Sequence, residues 1–402
     1  MTSRERIKTA LEHREPDRIP LDLGGTESSG MIAVAYNRLR DLLGLGKGET
    51  QIIDVYQQVV KIEGDVRSYL EIDTVPLINE PLEWQSWTLP DGSSSHIPAL
   101  WKTEKTADGY HIVRDNTGKI IARMPAGSYY FESLNPPLTK IDTVSGLNDF
   151  AEVIAAFDWP SFTDEPLSSI AARAHKLHET TDYAVVANLQ FHLLAAGQLL
   201  RGYENFMTDL MLNKPLAEAL LAMLADAYIE RCDRYFDEVG GSVDVVLVND
   251  DLGTQQGPML SPKIYREMLF PLEKRLFSHI KKRSGASLLF HSCGAVREFI
   301  PDLIEAGVDA LNPVQVSAAG MESSALKRDF GDAITFWGGG CDTQSVLCRG
   351  TKQEVRDEVK RRIGDFAPGG GFVFTQVHNI QPDVPPENIM AMYEAFMDAR
   401  KY

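Results

Sequence analysis

Short apolar runs alternate along most of the chain with longer stretches in which apolar residues recur at helical spacing. Runs at residues 18–24, 73–77, 183–189, 243–249, 287–293, 310–315, 334–338 and 371–378 read as strands bounded by turn residues. Helical period covers 33–43, 55–70, 147–157, 167–179, much of 202–239, 261–282, 296–306, 321–330, 352–366 and 386–401. At the start, Thr2 and Glu5 form a capping-box pattern ahead of Ile7 and Leu11, which predicts a first helix. Short apolar strands in strict alternation with helices predict a parallel sheet. Eight of them predict an α/β fold of the (β/α)8 TIM barrel type. An open doubly wound sheet is the alternative, but no Gly-x-Gly-x-x-Gly follows the first strand.

The pattern changes at residues 80–143, where Trp84, Trp87, Trp101, Tyr110, Tyr129, Tyr130 and Phe131 stand among turn signals. Residues 110–114 and 119–123, joined through Asn116, Thr117 and Gly118, read as a β-hairpin. The expectation is one barrel domain over 1–402 carrying an antiparallel β insertion at 80–143, after the second strand. The aromatic cluster at 129–131 reads either as the insertion's own core or as a lid over the barrel mouth.

Composition narrows the partners. The 402 residues are 44% hydrophobic and 24% charged, with a net charge of −17, which argues against nucleic acid or an anionic membrane surface. No apolar run approaches the ~20 residues of a membrane span. The chain opens into an amphipathic pattern rather than a leader, and Cys232, Cys293, Cys341 and Cys348 are too few for a disulfide scaffold. A cytoplasmic protein with available thiols is expected, and a homodimer is compatible with these features.

In a barrel of this type chemistry gathers where the strands end at their C-termini. Those ends carry Asp22, then Asn188 and His192, then Asp250 and Asp251, then His291 and Cys293, then Cys341, then His378 and Asn379. His291 and Cys293 share one face of a strand, and Cys341 follows three glycines at the end of another odd-numbered strand. These three are the expected ligands of Zn2+, with the fourth position open as in catalytic sites. The duller reading of the His-x-Cys pair is a coincidence of a strand-end histidine and a buried thiol. Asp250 and Asp251 read as catalytic groups or as turn and capping residues, and His192 as a substrate contact or an interior histidine. Cys232 and Cys348 read as structural. Two thiolates and one imidazole neutralise zinc into a mild Lewis acid, which suits activation of a thiol or of an ether leaving group more than hydrolysis.

Several segments resemble the uroporphyrinogen decarboxylase superfamily. They are Phe-His-Ser-Cys-Gly at 290–294, Asp-Asp-Leu-Gly-Thr-Gln at 250–255, the stretches 260–266 and 377–387, and the opening 10–20. Within that superfamily the His-x-Cys plus distant Cys pattern resembles the zinc motif of the corrinoid-dependent methyltransferases. The resemblance implies zinc on His291, Cys293 and Cys341, while placement at the strand ends makes Asp250, Asp251 and His378 the expected catalytic residues. Asp22, Asn188, His192, Gln255 and Asn379 would contact substrate. It also implies a corrinoid (cobalamin) protein as partner and a small methyl donor or acceptor. Decarboxylases carry an arginine-rich segment after the first strand, whereas residues 23–30 here contain none. O-demethylation of a methoxylated aromatic is the expected activity. Methylation of a thiol such as coenzyme M, porphyrinogen decarboxylation and a non-enzymatic zinc- or ligand-binding barrel are the alternatives.

Overall fold

The computed structural model describes residues 1–157 and 162–402. Among these residues seven parallel strands form one curled sheet: Thr74–Leu77, Ala184–Asn188, Val245–Asn249, Ser287–His291, Ala310–Asn312, Thr335–Trp337 and Phe372–Val373, in that spatial order. Helices pack around the outside. The order is sequential because each crossover helix returns the chain beside the strand it left.

The expected first strand shrinks to a three-residue segment that bridges the two sheet edges. Asp22 N donates to Phe374 O (2.9 Å) and Phe374 N to Pro20 O (2.9 Å) on one side, while Asp73 N donates to Leu21 O (2.8 Å) on the other. Pro20 has no N–H, and Leu21 N donates to the Asp73 carboxylate (2.8 Å) rather than to a backbone carbonyl, so a regular ladder cannot extend. Arg6 and Arg18 also clamp buried Asp73, at 2.6 and 2.8 Å. The first helix, Ser3–Leu11, plugs this end of the barrel: Ile7, Ala10 and Leu11 pack against inward-facing Val186, Leu247, Leu289 and Trp337. The opposite end, where the strands finish, is left for chemistry.

Between Leu77 and Ala184 the chain builds a two-stranded and a four-stranded antiparallel sheet, including the hairpin His111–Arg114 with Ile120–Met124. Buried Trp101 is its anchor, touching Tyr56 and Phe131 at centroid distances of 5.3 and 5.0 Å. Phe131 and Trp101 thus join the main hydrophobic core, and Tyr130 Oη donates to Gln381 Oε1 on the loop after the last strand (2.5 Å).

The helix expected over 55–70 is not formed as such. Ile52–Asp54 and Val59–Val60 pair as a small antiparallel ribbon, and helix is confined to Gly64–Tyr69. The Asp54 carboxylate accepts from Tyr56 N (2.9 Å) and Gln57 N (3.0 Å), and Gln58 takes a left-handed φ of 56°. A side-chain-stabilised turn outcompetes the helical period there.

Candidate metal centre and barrel mouth

The strand Ser287–His291 ends on His291, and the chain then turns through Ser292, Cys293 and Gly294. Gly294 sits at φ 85°, and a Cβ on it would lie 2.5 Å from the carbonyl carbon of Gly253. A Cβ on Gly253 would lie 2.7 Å from Cys293 O. Two glycines thus let the loops after neighbouring strands touch backbone to backbone. This contact places Asp251 to accept from Cys293 N (2.8 Å), while Gly294 N donates to Gln315 Oε1 (2.8 Å). Gln315 Nε2 in turn donates to Gln255 Oε1 (2.6 Å).

His291, Cys293 and His378 bring one nitrogen or sulfur each to within 4.8 Å of one another, the group among the described residues fit to hold a metal ion. His291 Nε2 is 3.6 Å from Cys293 Sγ. Both imidazoles are oriented by asparagines. His291 Nδ1 faces Asn312 Oδ1 at 2.9 Å. That amide's orientation is set, because Ser28 Oγ donates to the same oxygen (2.6 Å) and Asn312 Nδ2 donates to Trp337 O (3.0 Å). Nδ1 of His291 must carry the proton, leaving the Nε2 lone pair toward the thiol. His378 Nδ1 faces Asn379 Oδ1 (2.9 Å), and Asn379 Nδ2 donates to Gln57 Oε1 (3.0 Å), which fixes the same tautomer. Burial and the neighbouring His291 push His378 down to about 4, so it is a neutral donor at physiological pH. Burial raises the Cys293 thiol, as does the Asp251 carboxylate beside it. A thiolate there needs a cation to offset its charge. Two free imidazole lone pairs and a thiol fit a zinc-type ion, with room for a further ligand.

Cys341 stands outside this group. It is buried, its sulfur is 4.0 Å from Asp342 O, and its backbone carbonyl accepts from Val377 N (3.0 Å) beside the last strand's exit. Burial raises its thiol as well.

The remaining residues expected at the site take distinct places. Asp250 accepts three backbone N–H groups, from Leu193 (2.9 Å), Leu194 (2.5 Å) and Ala195 (2.9 Å), and so caps the helix Leu194–Arg201 from a neighbouring loop. Burial pushes it up to about 7 against the pull of those donors. Asp251 is half exposed, with Oδ1 3.8 Å from His291 Nε2. Buried Asp22 is filled by Thr74 Oγ1 (2.6 Å), Trp337 Nε1 (2.8 Å) and Gly25 N (2.9 Å), so it holds the barrel interior. His192 is buried, pushed down to about 3 by burial, and 3.4 Å from Asn249 Nδ2.

Two adjoining lobes open at the mouth. An inner lobe of about 180 Å³ is lined by His291, His378, His192, Asp250 and Asp251, among others. An outer lobe of about 190 Å³ is more apolar, with Leu77, Ile170 and Phe191. Glu27, Asp54 and Gln190 line both. A third cavity, of about 440 Å³, reaches the same group from the side of Cys293, and His378 lines it too. Glu27 and Asp54 escaped the sequence reading. Glu27 lies in the glycine- and serine-rich loop after the first strand, and Asp54 borders the stretch that mimics a helix. Their signal was the loop's position at a strand's C-terminal end, together with its single acidic residue.

The fold is that of a (β/α)-barrel, and a known structure shares it. A solved methyltransferase from Methanosarcina mazei superposes with a TM-score of 0.59 over 99% of both chains at 16% identity, which is a likeness of fold. The family model of uroporphyrinogen decarboxylase (URO-D) matches residues 189–399, and the chain belongs to that family. The uroporphyrinogen decarboxylase of Legionella pneumophila (strain Lens) is 28% identical over 200 residues, 48% of this chain and 51% of that protein. The one from Pseudoalteromonas translucida (strain TAC 125) is 29% identical over 176 residues, covering 42% and 44%. The chain spans about half the length of the curated relatives it matches. Among the described residues no helix is long and apolar enough to cross a membrane.

Proposed function

We propose that this protein is a zinc-dependent methyltransferase that moves a methyl group from a small methylated donor, a methoxylated aromatic compound, to the cobalt of a corrinoid protein. The observation that carries the reading is the His291, Cys293 and His378 group, reached from two cavities that share His378. Transfer between two separately bound reactants needs that access. Bound zinc would supply a Lewis acid that offsets the negative charge left on the leaving oxygen. His291 and Cys293 would hold it, with His378 or Cys341 as the third protein ligand. Asn312 and Asn379 keep both Nε2 lone pairs free. Asp251 fixes the Cys293 backbone, and Asp250 fixes the helix that borders the inner lobe. In the reaction the methyl C–O bond breaks with its electron pair on oxygen. The C–Co bond forms from the Co(I) electron pair, giving methyl-Co(III) and the phenolate.

Porphyrinogen decarboxylation is the second reading, favoured by the names of the sequence relatives. The inner lobe speaks against it. Among the described residues it is lined by Glu27, Asp54, Asp250 and Asp251 without a lysine or arginine, a poor host for a substrate with many carboxylates. The M. mazei chain's description as a methyltransferase is in keeping with the first reading. The test is to mix the purified protein with a methoxyarene and a Co(I) corrinoid and follow the cobalt spectrum. Formation of methyl-Co(III) and the phenol is expected. Transfer only from methylcorrinoid to thiols would redirect the function to thiol methylation, and release of CO2 from uroporphyrinogen with neither transfer would overturn it.

A further inference from the structure

Asp54 is not one of the three donors of the metal-binding group, but its hydrogen bonds lead to one of them. Its Oδ1 accepts from the backbone of Tyr56 (2.9 Å) and Gln57 (3.0 Å), and its Oδ2 accepts from Gln57 Nε2 (2.9 Å). Gln57 Oε1 accepts from Asn379 Nδ2 (3.0 Å), and Asn379 Oδ1 faces His378 Nδ1 at 2.9 Å. The contacts thus run carboxylate, amide, amide, imidazole. Burial raises Asp54, but three N–H donors and its face on two open lobes favour the carboxylate, which only accepts. Gln57 must therefore turn its nitrogen to Asp54 and its oxygen to Asn379. Asn379 must in turn give its nitrogen to Gln57 and its oxygen to His378.

A second arm reaches the same amide from the insertion. Tyr130 Oη donates to Gln381 Oε1 (2.5 Å), and Gln381 Nε2 donates to Asn379 Oδ1 (2.5 Å) and to Asn379 O (3.3 Å). A backbone carbonyl only accepts, so the nitrogen of Gln381 is the atom that faces Asn379. Asn379 is fully buried. The nitrogen and oxygen of its amide are alike in size, so packing does not choose between them and the hydrogen bonds do. With the amide turned over, Nδ2 would meet the Gln381 nitrogen, and His378 Nδ1 would have to accept. The imidazole proton would then sit on Nε2, and the lone pair that an ion needs would be gone.

We propose that Asp54 is a positioning residue of the metal centre: through Gln57 and Asn379 it holds His378 in the tautomer whose Nε2 lone pair is free, and so makes His378 the third protein ligand. The carboxylate often found directly behind a metal-bound histidine is here two amides away. It specifies the tautomer, and its negative charge polarises the chain toward the imidazole. The inference rests on the zinc reading of the site, but the tautomer is read without metal and without turnover.

The experiment reverses the chain and then restores it. In Asp54→Asn the new amide oxygen keeps the two backbone N–H groups, so its nitrogen faces Gln57. Gln57 turns over in response, and Asn379 is driven to present its nitrogen to His378. Adding Asn379→Asp supplies a carboxylate that accepts from Gln57, Gln381 and His378 alike. Nitrogen NMR of the full chain, histidine-labelled and zinc-free, reads the tautomer, with the His378 signal identified by its loss in His378→Ala. Chelator competition reads zinc affinity. Wild type should carry the proton on Nδ1. Asp54→Asn should shift it toward Nε2 and lower zinc affinity by about 10–100-fold. The double variant should regain the Nδ1 proton and most of the lost affinity. An unchanged tautomer or an unchanged affinity in folded Asp54→Asn, or a double variant no better than the single one, overturns the proposal. If thermal melting shows Asp54→Asn unfolded, Gln57→Leu cuts the same chain, and the proposal falls if it neither mixes the tautomers nor weakens zinc binding. A wild type that takes up no zinc while the tautomers follow this pattern would leave the positioning of His378 standing and remove the zinc reading instead.

Discussion

His291 Nδ1 and Asn312 Oδ1 lie 2.9 Å apart, and that single contact fixes which nitrogen of the imidazole is left to bind an ion. Asn312 has no freedom to flip, since its amide nitrogen is committed to Trp337 O and its oxygen also accepts from Ser28. A neutral amide thus plays the part that a carboxylate or backbone carbonyl plays behind many metal-bound histidines.

Removing that orientation should weaken the metal site without removing a ligand. Asn312→Ala is expected to lower zinc affinity by about 10–100-fold, the usual effect of losing a partner behind a metal-bound histidine. Competition titration against a chromophoric chelator measures it. Asn379→Ala should do the same through His378 if His378 is a ligand, and nothing to affinity if Cys341 takes that place.

The backbone contact between Gly253 and Gly294 makes a separate prediction. Gly294→Ala combines a φ of 85° with a Cβ only 2.5 Å from Gly253 C, where backbone rather than a flexible side chain must move. The cost is expected at about 2–3 kcal/mol in urea unfolding, from strain and lost packing together. Zinc affinity should fall as well, because Cys293 precedes the displaced residue. A variant as stable as the wild type would show that the two loops can part freely.

Glu273 makes the pH prediction. It is buried, accepts from Tyr265 Oη at 2.6 Å, and is pushed up to about 8 by burial, with Asp250 nearby adding to the shift. An unfolded chain ionises this group from its ordinary value of 4.5, while the folded protein still holds the proton. Its contribution is thus fully present in acid below that value and is lost as pH rises toward about 8. Over that window each pH unit costs up to about 1.4 kcal/mol. Glu273→Gln keeps an acceptor for Tyr265 and does not titrate, so its stability relative to wild type should rise from pH 5 to pH 8. Unfolding curves at both values check the sign.

Asp250 separates positioning from catalysis. Asp250→Asn leaves an amide where two carboxylate oxygens accept the N–H groups of residues 193–195, and about 1–2 kcal/mol of stability should be lost as for a helix cap. If it acts only by holding the helix, substrate binding should weaken while the pH dependence of turnover stays as in the wild type. A lost limb of the pH–rate profile would instead make it a proton-transfer group.

Much of the architecture was legible in the sequence because it rests on repetition. Seven of the expected strands lie where the apolar runs place them. The weak points were local. At 55–70 apolar spacing is helical, yet the Asp54 carboxylate binds the next backbone N–H groups and reverses the chain. At Leu21 a side chain, Asp73, replaces a ladder partner, so a run read as a strand survives as a bridge. The site was half legible. His291 and Cys293 are two positions apart on one strand, and periodicity places them together. His378 joins them from the far end of the chain, where its place at a strand end suggested a catalytic role rather than a ligand. Cys341 is buried and is not among the three donors that lie within 4.8 Å of one another.

Metal content tests the central claim most directly. Protein purified without chelator and analysed by inductively coupled plasma mass spectrometry should carry close to one zinc per chain. His291→Ala and Cys293→Ala should each bring it to background while their far-ultraviolet circular dichroism stays that of a folded barrel. Wild-type protein that takes up no zinc when it is supplied, or folded variants that keep the full equivalent, would contradict a metal centre at His291 and Cys293.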